Sequence, residues 1–330
     1  MSAPESNTPD FAALFTAIEQ AHVAIRPNVP VTPLALSTSL SGKLGCTVLL
    51  KGEHLQPTGS FKYRGATNRL RLLSDAERQR GVITASTGNH GLAVAQAGAL
   101  AGVSVTVYVA QSAAAAKRAA ITALGAKLIV VEGPTIEAEL TARRDAAAQD
   151  KVFISPYNDA AIVAGQGTTG IELAEQAPDL DAVFVAVGGG GLIGGIGTGL
   201  RRLAPKAEVV GVWPENSPAM LCALQAGAIV DTPDLPTLSD GTAGAVEPGS
   251  ITFPICAAVI DRYVTVTEQE IAGAMRLVAE TDHWMVEGSA GVALAGLVRA
   301  QSDFRGRKVA VVLCGRNIGL DDYIKALTMH

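Results

Sequence analysis

Val183-Phe184-Val185-Ala186-Val187-Gly188-Gly189-Gly190-Gly191-Leu192-Ile193-Gly194-Gly195 is an apolar, β-branched run that breaks into four glycines and then into small residues at helical density. A short run of this kind bounded by glycine reads as a buried strand, and the glycines open a helix. In open parallel sheets ligands bind beyond the carboxyl ends of the strands. N–H groups at a helix start lack intrahelical partners and carry the positive end of its dipole, and missing Cβ atoms let a phosphate approach closely. The competing explanation is a tight strand–helix turn in which close packing alone demands glycine. The loop lacks the Lys-Ser/Thr of a nucleoside-triphosphate loop. Gly189, Gly191 and Gly194 also match GxGxxG, but no acidic residue ends the next run, Val209-Val210-Gly211-Val212-Trp213-Pro214, to grip a ribose. Hydride chemistry is therefore the weaker reading.

The same strand-to-helix step recurs along the chain. Cys46–Leu50 reads as a strand and Phe61–Leu73 as a helix. Val82–Ala85, Val103–Val109, Lys127–Val131 and Val152–Ile154 read as strands separated by helices near His90–Ala101, Ala114–Leu124 and Thr135–Ala148. Val183–Val187, Val209–Val212 and Val309–Leu313 repeat the pattern. The prediction is an α/β protein of two lobes: a small one over 81–154 inserted into a larger one made of 1–80 and 155–330. At 330 residues, two cores are the default expectation. The 35 glycines and 4% aromatic content suit a Val-rich parallel sheet covered by Ala-rich helices.

A formal charge of -5 and a pI near 5.6, with no Lys/Arg block, argue against a nucleic-acid partner. No apolar run reaches the roughly 18 residues of a membrane span, and Met1-Ser2-Ala3-Pro4-Glu5-Ser6 has neither the basic start nor the apolar stretch of a signal peptide. The expectation is a cytoplasmic protein without membrane partners. Cys46, Cys222, Cys256 and Cys314 lie far apart with no CxxC pair, which favours reduced thiols over a disulfide frame or zinc site.

Three further segments carry chemistry. Pro57-Thr58-Gly59-Ser60-Phe61-Lys62-Tyr63-Arg64-Gly65 places an aromatic directly before a lysine in a Gly/Ser-flanked turn, which suits an aldehyde cofactor, pyridoxal phosphate. A lysine amine forms a Schiff base only as the free base, so it must be held partly out of water; otherwise Lys62 is a solvated surface residue. Ser86-Thr87-Gly88-Asn89-His90-Gly91 follows a strand and opens a helix, offering hydroxyls, an amide and unpaired N–H groups to an amino-acid carboxylate. The alternative there is a plain N-cap, with His90 a core histidine. Cys314, at the end of Val309–Leu313, is either buried filler or a site thiol.

The SFK segment, STGNHG, GQGT at Gly165–Thr168, GGGGL, TFPI at Thr252–Ile255, EGSAGV at Glu287–Val292 and LCGRN occur in this order. Together they resemble the serine/threonine dehydratase family of pyridoxal-phosphate enzymes, the fold type II group (tryptophan synthase β-like) that also includes serine racemase. The resemblance spans roughly 26–325. The chain stops soon after the last motif, leaving no room for the regulatory domain of biosynthetic threonine deaminases.

By this resemblance Lys62 is the Schiff-base lysine and catalytic base, and Phe61 packs on the ring. Asn89 meets the phenolic oxygen, Gly188, Gly189, Gly190, Gly191 and Leu192 cup the phosphate, and Cys314 faces the pyridine nitrogen. Ser86, Thr87, Gly88, Asn89, His90 and Gly241 form the substrate side. A neutral thiol at the ring nitrogen makes a weaker electron sink than a carboxylate, favouring prompt β-elimination over transamination. Thr87 stands where racemases carry a serine base, and its restricted χ1 predicts weak racemisation. Trp213 and Ala219 stand where relatives place carboxylates for a divalent cation, and Glu215 alone is a poor substitute. No metal is expected. The segment Asp240-Gly241-Thr242-Ala243-Gly244-Ala245 is small near the substrate's β-carbon.

The resemblance implies a β-hydroxy amino acid ammonia-lyase for L-threonine or L-serine. The alternatives are a dehydratase for a bulkier 3-hydroxy amino acid, such as a hydroxyectoine-derived or phenylserine-like one, an amino-acid racemase, and a non-catalytic binding protein on the same scaffold. A homodimer or other homo-oligomer is expected.

Overall fold

The computed structural model describes residues 9–133 and 135–329, so the stretch 1–8, which contains the signal-peptide reading, lies outside the described residues. The strands are β1 (Leu34–Leu36), β2 (Thr47–Lys51), β3 (Val82–Ala85), β4 (Val105–Ala110), β5 (Lys127–Val131), β6 (Val152–Phe153), β7 (Ala182–Ala186), β8 (Glu208–Pro214), β9 (Arg262–Val266) and β10 (Lys308–Val312). They form two sheets, a six-stranded one in the order β1-β2-β10-β7-β8-β9 and a four-stranded one in the order β5-β4-β3-β6. Only β1 runs antiparallel, against β2; every other pair is parallel. This is the mixed α/β architecture expected of the chain, with helices on the sheet faces.

Sheet composition follows burial. β7 is buried at every position and β10 at all but its first residue, as required of central parallel strands covered on both faces. The edge strand β9 is mostly half-exposed, and its alternating Arg-Tyr-Val-Thr-Val suits an edge.

Helix packing sets the position of Lys62. The helix Lys62–Arg71 crosses the almost wholly buried helix Ala160–Gln176 at a glycine–glycine contact: a Cβ on Gly165 would lie 2.6 Å from the Gly65 Cα. On the far side of that crossing sits a buried ionic cluster. Arg64 binds Glu53 (2.7 Å) and Glu172 (2.7 Å), and Lys51 binds Glu172 (2.6 Å), all four side chains being fully shielded from water. Thr168 Oγ1 accepts from Arg64 Nη1 at 3.0 Å, and Arg26 reaches Glu172 at 2.8 Å. The cluster ties β2, the turn Glu53–Leu55 and both helices into one unit two residues from Lys62.

Candidate active site

Four strand ends converge. β2 leads through Glu53–Leu55 to the Lys62 segment, β3 to Ser86–His90, β7 to the glycine loop and β10 to Cys314. The segment before Lys62 pairs with the chain leaving β10. Ser60 bridges Gly315, Phe61 N–H donates to the Cys314 carbonyl at 3.0 Å, and Arg316 N–H donates to that of Gly59 at 2.9 Å. This backbone ladder aligns Lys62 beside Cys314.

Lys62 is the first residue of its helix and half-buried. Its Nζ donates to the Pro156 carbonyl at 2.7 Å and lies 5.1 Å from the centre of the Phe61 ring. Burial pushes its pKa down to about 8, against the opposing pull of Cys314 and Glu287. An amine near 8 carries a usable free-base fraction at neutral pH. The Cys314 thiol is buried, and burial together with Glu287 raises its pKa well above the ordinary thiol value, so it stays neutral.

The glycine loop is shaped by its neighbours. A Cβ at Gly188 would lie 2.8 Å from the Thr242 Cα, and one at Gly189 would lie 2.4 Å from the Tyr157 ring. Gly190 caps the helix Gly191–Leu203 with φ +83°, the left-handed region. Thr252 Oγ1 donates to the Gly189 carbonyl at 2.6 Å, and Cys256 Sγ contacts that of Gly190 at 3.6 Å. Among the described residues, Gly188 through Leu192 donate no backbone N–H to another backbone group. Packing thus explains the glycines, and the row of N–H groups without backbone partners is available to an anion.

The plain-cap alternative for Ser86–Asn89 does not hold. Gly88 is the N-cap of helix Asn89–Ala101 and no side chain caps it; Ser86 Oγ accepts from Gly88 N–H at 3.2 Å instead. Ser86, Thr87, Gly88 and Asn89 are half-buried. His90 is 3% exposed, and its Nε2 donates to the Ile154 carbonyl at 3.0 Å, since a carbonyl can only accept. Burial and the nearby Lys62 push this imidazole down to about 3, so it remains neutral.

Glu287 and Asn317 enter the site without having been singled out as site residues, although the EGSAGV and LCGRN motifs contain them. Asn89 Nδ2 donates to Glu287 Oε1 at 2.8 Å, and Asn317 Nδ2 donates to Asn89 Oδ1 at 2.6 Å. Gly241 lies alongside, where a Cβ would meet Ser289 Oγ at 2.7 Å and Glu287 Oε1 at 3.7 Å. Tyr157, stacked on the glycine loop, was also not foreseen.

Where a cation's carboxylates were sought, Trp213 is fully buried with its ring edge-on to Tyr263 at 5.8 Å, and Glu215 is paired with Arg299 at 3.0 Å. Among the described residues no group of three or more His, Cys, Asp or Glu is placed to hold a metal ion.

A half-buried helix-start lysine with a lowered pKa, together with a strand–helix glycine loop whose N–H groups lack backbone partners, is what an aldehyde cofactor bearing a phosphate requires. The family of pyridoxal-phosphate dependent enzymes matches residues 25–315, and the chain belongs to it. An L-threonine ammonia-lyase of Thermotoga maritima is 39% identical over 304 residues, covering 92% of this chain and 75% of that protein. An L-threo-3-hydroxyaspartate ammonia-lyase of Saccharomyces cerevisiae is 36% identical, covering 91% of each. The processed form of threonine deaminase isoform 2 from Solanum lycopersicum superposes with a TM-score of 0.92 at 31% identity, covering 97% of this chain and 94% of that one.

The residues present fit the family's cofactor: an amine for its aldehyde, unpartnered N–H groups for its phosphate, an amide for its phenolic oxygen and a neutral thiol. Gly190→Ala is expected to weaken pyridoxal phosphate binding at least about tenfold. A non-glycine residue in the left-handed region costs about 1–2 kcal/mol, and the new Cβ would lie 2.6 Å from Cys256 Sγ. Equilibrium dialysis of the apoprotein against the cofactor measures this; unchanged affinity contradicts the phosphate assignment.

Proposed function

We propose that the chain is a pyridoxal-phosphate-dependent ammonia-lyase converting L-threonine and L-serine to a 2-keto acid and ammonia. The observation that carries this reading is the Lys62 amine, held near pKa 8 at 2.7 Å from the Pro156 carbonyl. The names and identities of the relatives support the substrate class.

Pyridoxal phosphate, when bound, supplies an aldehyde for the substrate's amine and a ring that accepts electron density from the α-carbon. Lys62 would hold its aldehyde and, as a free amine, would take the α-proton of the substrate. Gly188–Leu192 hold the phosphate through their N–H groups. Phe61 would pack on one ring face, and Asn89 would donate to the phenolic oxygen. Cys314, buried and neutral, would stand at the ring nitrogen without protonating it, which would favour loss of the β-hydroxyl over slower side reactions. Ser86 through His90, at the start of helix Asn89–Ala101, hold the substrate carboxylate. His90, buried, neutral and bonded to the Ile154 carbonyl, supports that turn from behind as a satisfied core histidine. Gly241 leaves room at the β-carbon.

The proposal includes the division into a lobe over 81–154 and a lobe of 1–80 with 155–330, supported by the four-stranded sheet drawing only on Val82–Phe153. It also includes function without a divalent cation. A cytoplasmic setting is supported by four free cysteines, and among the described residues no helix is long and apolar enough to cross a membrane. A homo-oligomer is an expectation of the resemblance; the groove of about 380 Å³ lined by Glu19, His22, Val23, Ile171, Ala174, Glu175 and Leu203 mixes charged and apolar residues, with Val23 73% exposed.

The test is 2-keto acid formation by the cofactor-loaded protein across 3-hydroxy amino acids of increasing size. L-threonine and L-serine are expected to give the highest kcat/KM. A maximum at a larger side chain would move the assignment to another dehydratase, and no keto acid from any of them would reject it.

A further inference from the structure

Glu287 is the N-cap of helix Gly288–Arg299, yet its side chain caps nothing; it points into the site with only 3% of the residue exposed. Oε1 accepts from Asn89 Nδ2 at 2.8 Å and Oε2 from the Asn317 backbone N–H at 3.0 Å. Asn317 Nδ2 in turn donates to Asn89 Oδ1 at 2.6 Å and to the Thr58 carbonyl at 2.8 Å. The carboxylate fills a gap between two glycines: a Cβ on Gly315 would lie 2.3 Å from Oε1.

These bonds fix the Asn89 amide. Its oxygen faces a donor and one of its two N–H groups faces a carboxylate, leaving one N–H for a further acceptor. Turning the amide over would set NH₂ against NH₂ and oxygen against carboxylate, two repulsive contacts. A protonated Glu287 weakens this hold, because it loses the charge that strengthens both accepted bonds and its hydroxyl oxygen is a poorer acceptor for the N–H it faces, Asn89 Nδ2 or Asn317 N–H.

We propose that Glu287 is a positioning residue that, acting through Asn89 with Asn317, keeps one amide N–H free for the cofactor's phenolic oxygen, and that protonation of Glu287 releases this hold. This rests on the proposed contact between Asn89 and that oxygen. The groups facing Glu287 are Asp240 from the preceding loop, Lys117 from helix Ala115–Ala123, Lys62 and the Cys314 thiol. Lys117 is paired with Asp240 at 3.2 Å. Burial, then Asp240, push the Glu287 carboxyl up to about 7, while Asn89, the Asn317 N–H and Lys117 draw it down. The hold is therefore present above neutrality and lost below it.

The experiment is a pH titration, from 5.5 to 9, of the visible absorption of the bound cofactor in wild type, Glu287→Gln, Glu287→Asp and Asn89→Ala, with pyridoxal phosphate affinity measured at pH 8. Wild type is expected to change its absorption with a midpoint near 7. Glu287→Gln should lose that transition and bind the cofactor about tenfold more weakly, the size of one charge-assisted hydrogen bond. Glu287→Asp, which keeps the charge, should restore the transition. If Glu287→Gln titrates and binds like wild type while Asn89→Ala is altered, this inference fails and the Asn89 contact stands. If Asn89→Ala is also unaltered, the Asn89 contact fails and takes the inference with it. Should Glu287→Gln not fold, the wild-type titration decides: no transition between pH 6 and 8 overturns the proposal.

Discussion

Lys62→Ala is expected to reduce 2-keto acid formation at least about a thousandfold while leaving the protein folded. The side chain makes one hydrogen bond, to the Pro156 carbonyl, and is half-buried, so its removal deletes about 0.5–1.5 kcal/mol of stability. The chemistry has no comparable reserve. Positioned general bases contribute about 10²–10⁴ in rate, and this lysine also anchors the cofactor. His90 is neutral but bound to Ile154 and buried, and cannot replace it. Initial rates, the visible absorption of the cofactor and circular dichroism together check the prediction. A variant that folds and turns over within tenfold of wild type would show that Lys62 is not the base.

The largest loss of stability is expected at Glu172. Its carboxylate accepts from Arg64 at 2.7 Å, Lys51 at 2.6 Å and Arg26 at 2.8 Å. Glu172→Ala leaves the buried cations Arg64 and Lys51 with Glu53 alone. Breaking one side of a buried pair typically destabilises by about 3–5 kcal/mol, a large part of the 5–15 kcal/mol typical of a folded domain. Urea denaturation at pH 7 should show a loss in that range or no soluble protein, and a change below about 1 kcal/mol contradicts the reading. Burial would raise the Glu172 carboxyl, but Arg64 and Lys51 outweigh it and hold it at about 2, below its ordinary 4.5. A depressed carboxyl contributes stability that is complete above 4.5 and is lost as pH falls toward 2. The wild-type protein should therefore weaken across that window more steeply than Glu172→Gln, which cannot titrate.

Much of the fold is legible because central parallel strands are uniformly apolar and end in glycine or polar turns. β3 and β5 match the predicted Val82–Ala85 and Lys127–Val131, and most other strands and helices differ by one or two residues at an end. β1 escapes because three residues carry no periodicity, and β9 because an edge strand mixes Arg, Tyr and Thr with Val. The segments at the predicted strand ends are readable for the same reason: the Lys62 segment pairs with the chain leaving β10, and Asn317 there bonds Asn89.

The remainder of the site depends on contacts between distant segments. Glu287 meets Asn89 across 198 positions and Lys51 meets Glu172 across 121. In sequence, Lys51, Glu53, Arg64 and Glu172 look like ordinary surface charges; only the glycine crossing of two helices reveals that they share one dry interior. Tyr157 carries no local signal, since its role is to fill the space that Gly189 leaves open.

The most direct test of the account is the stoichiometry of the reaction with L-threonine. The cofactor-loaded protein is expected to release 2-oxobutanoate and ammonia in a one-to-one ratio with threonine consumed, and D-allo-threonine, the product of inversion at the α-carbon, should not accumulate. Threonine consumed without equimolar keto acid and ammonia, or converted to its stereoisomer instead, would contradict the assignment.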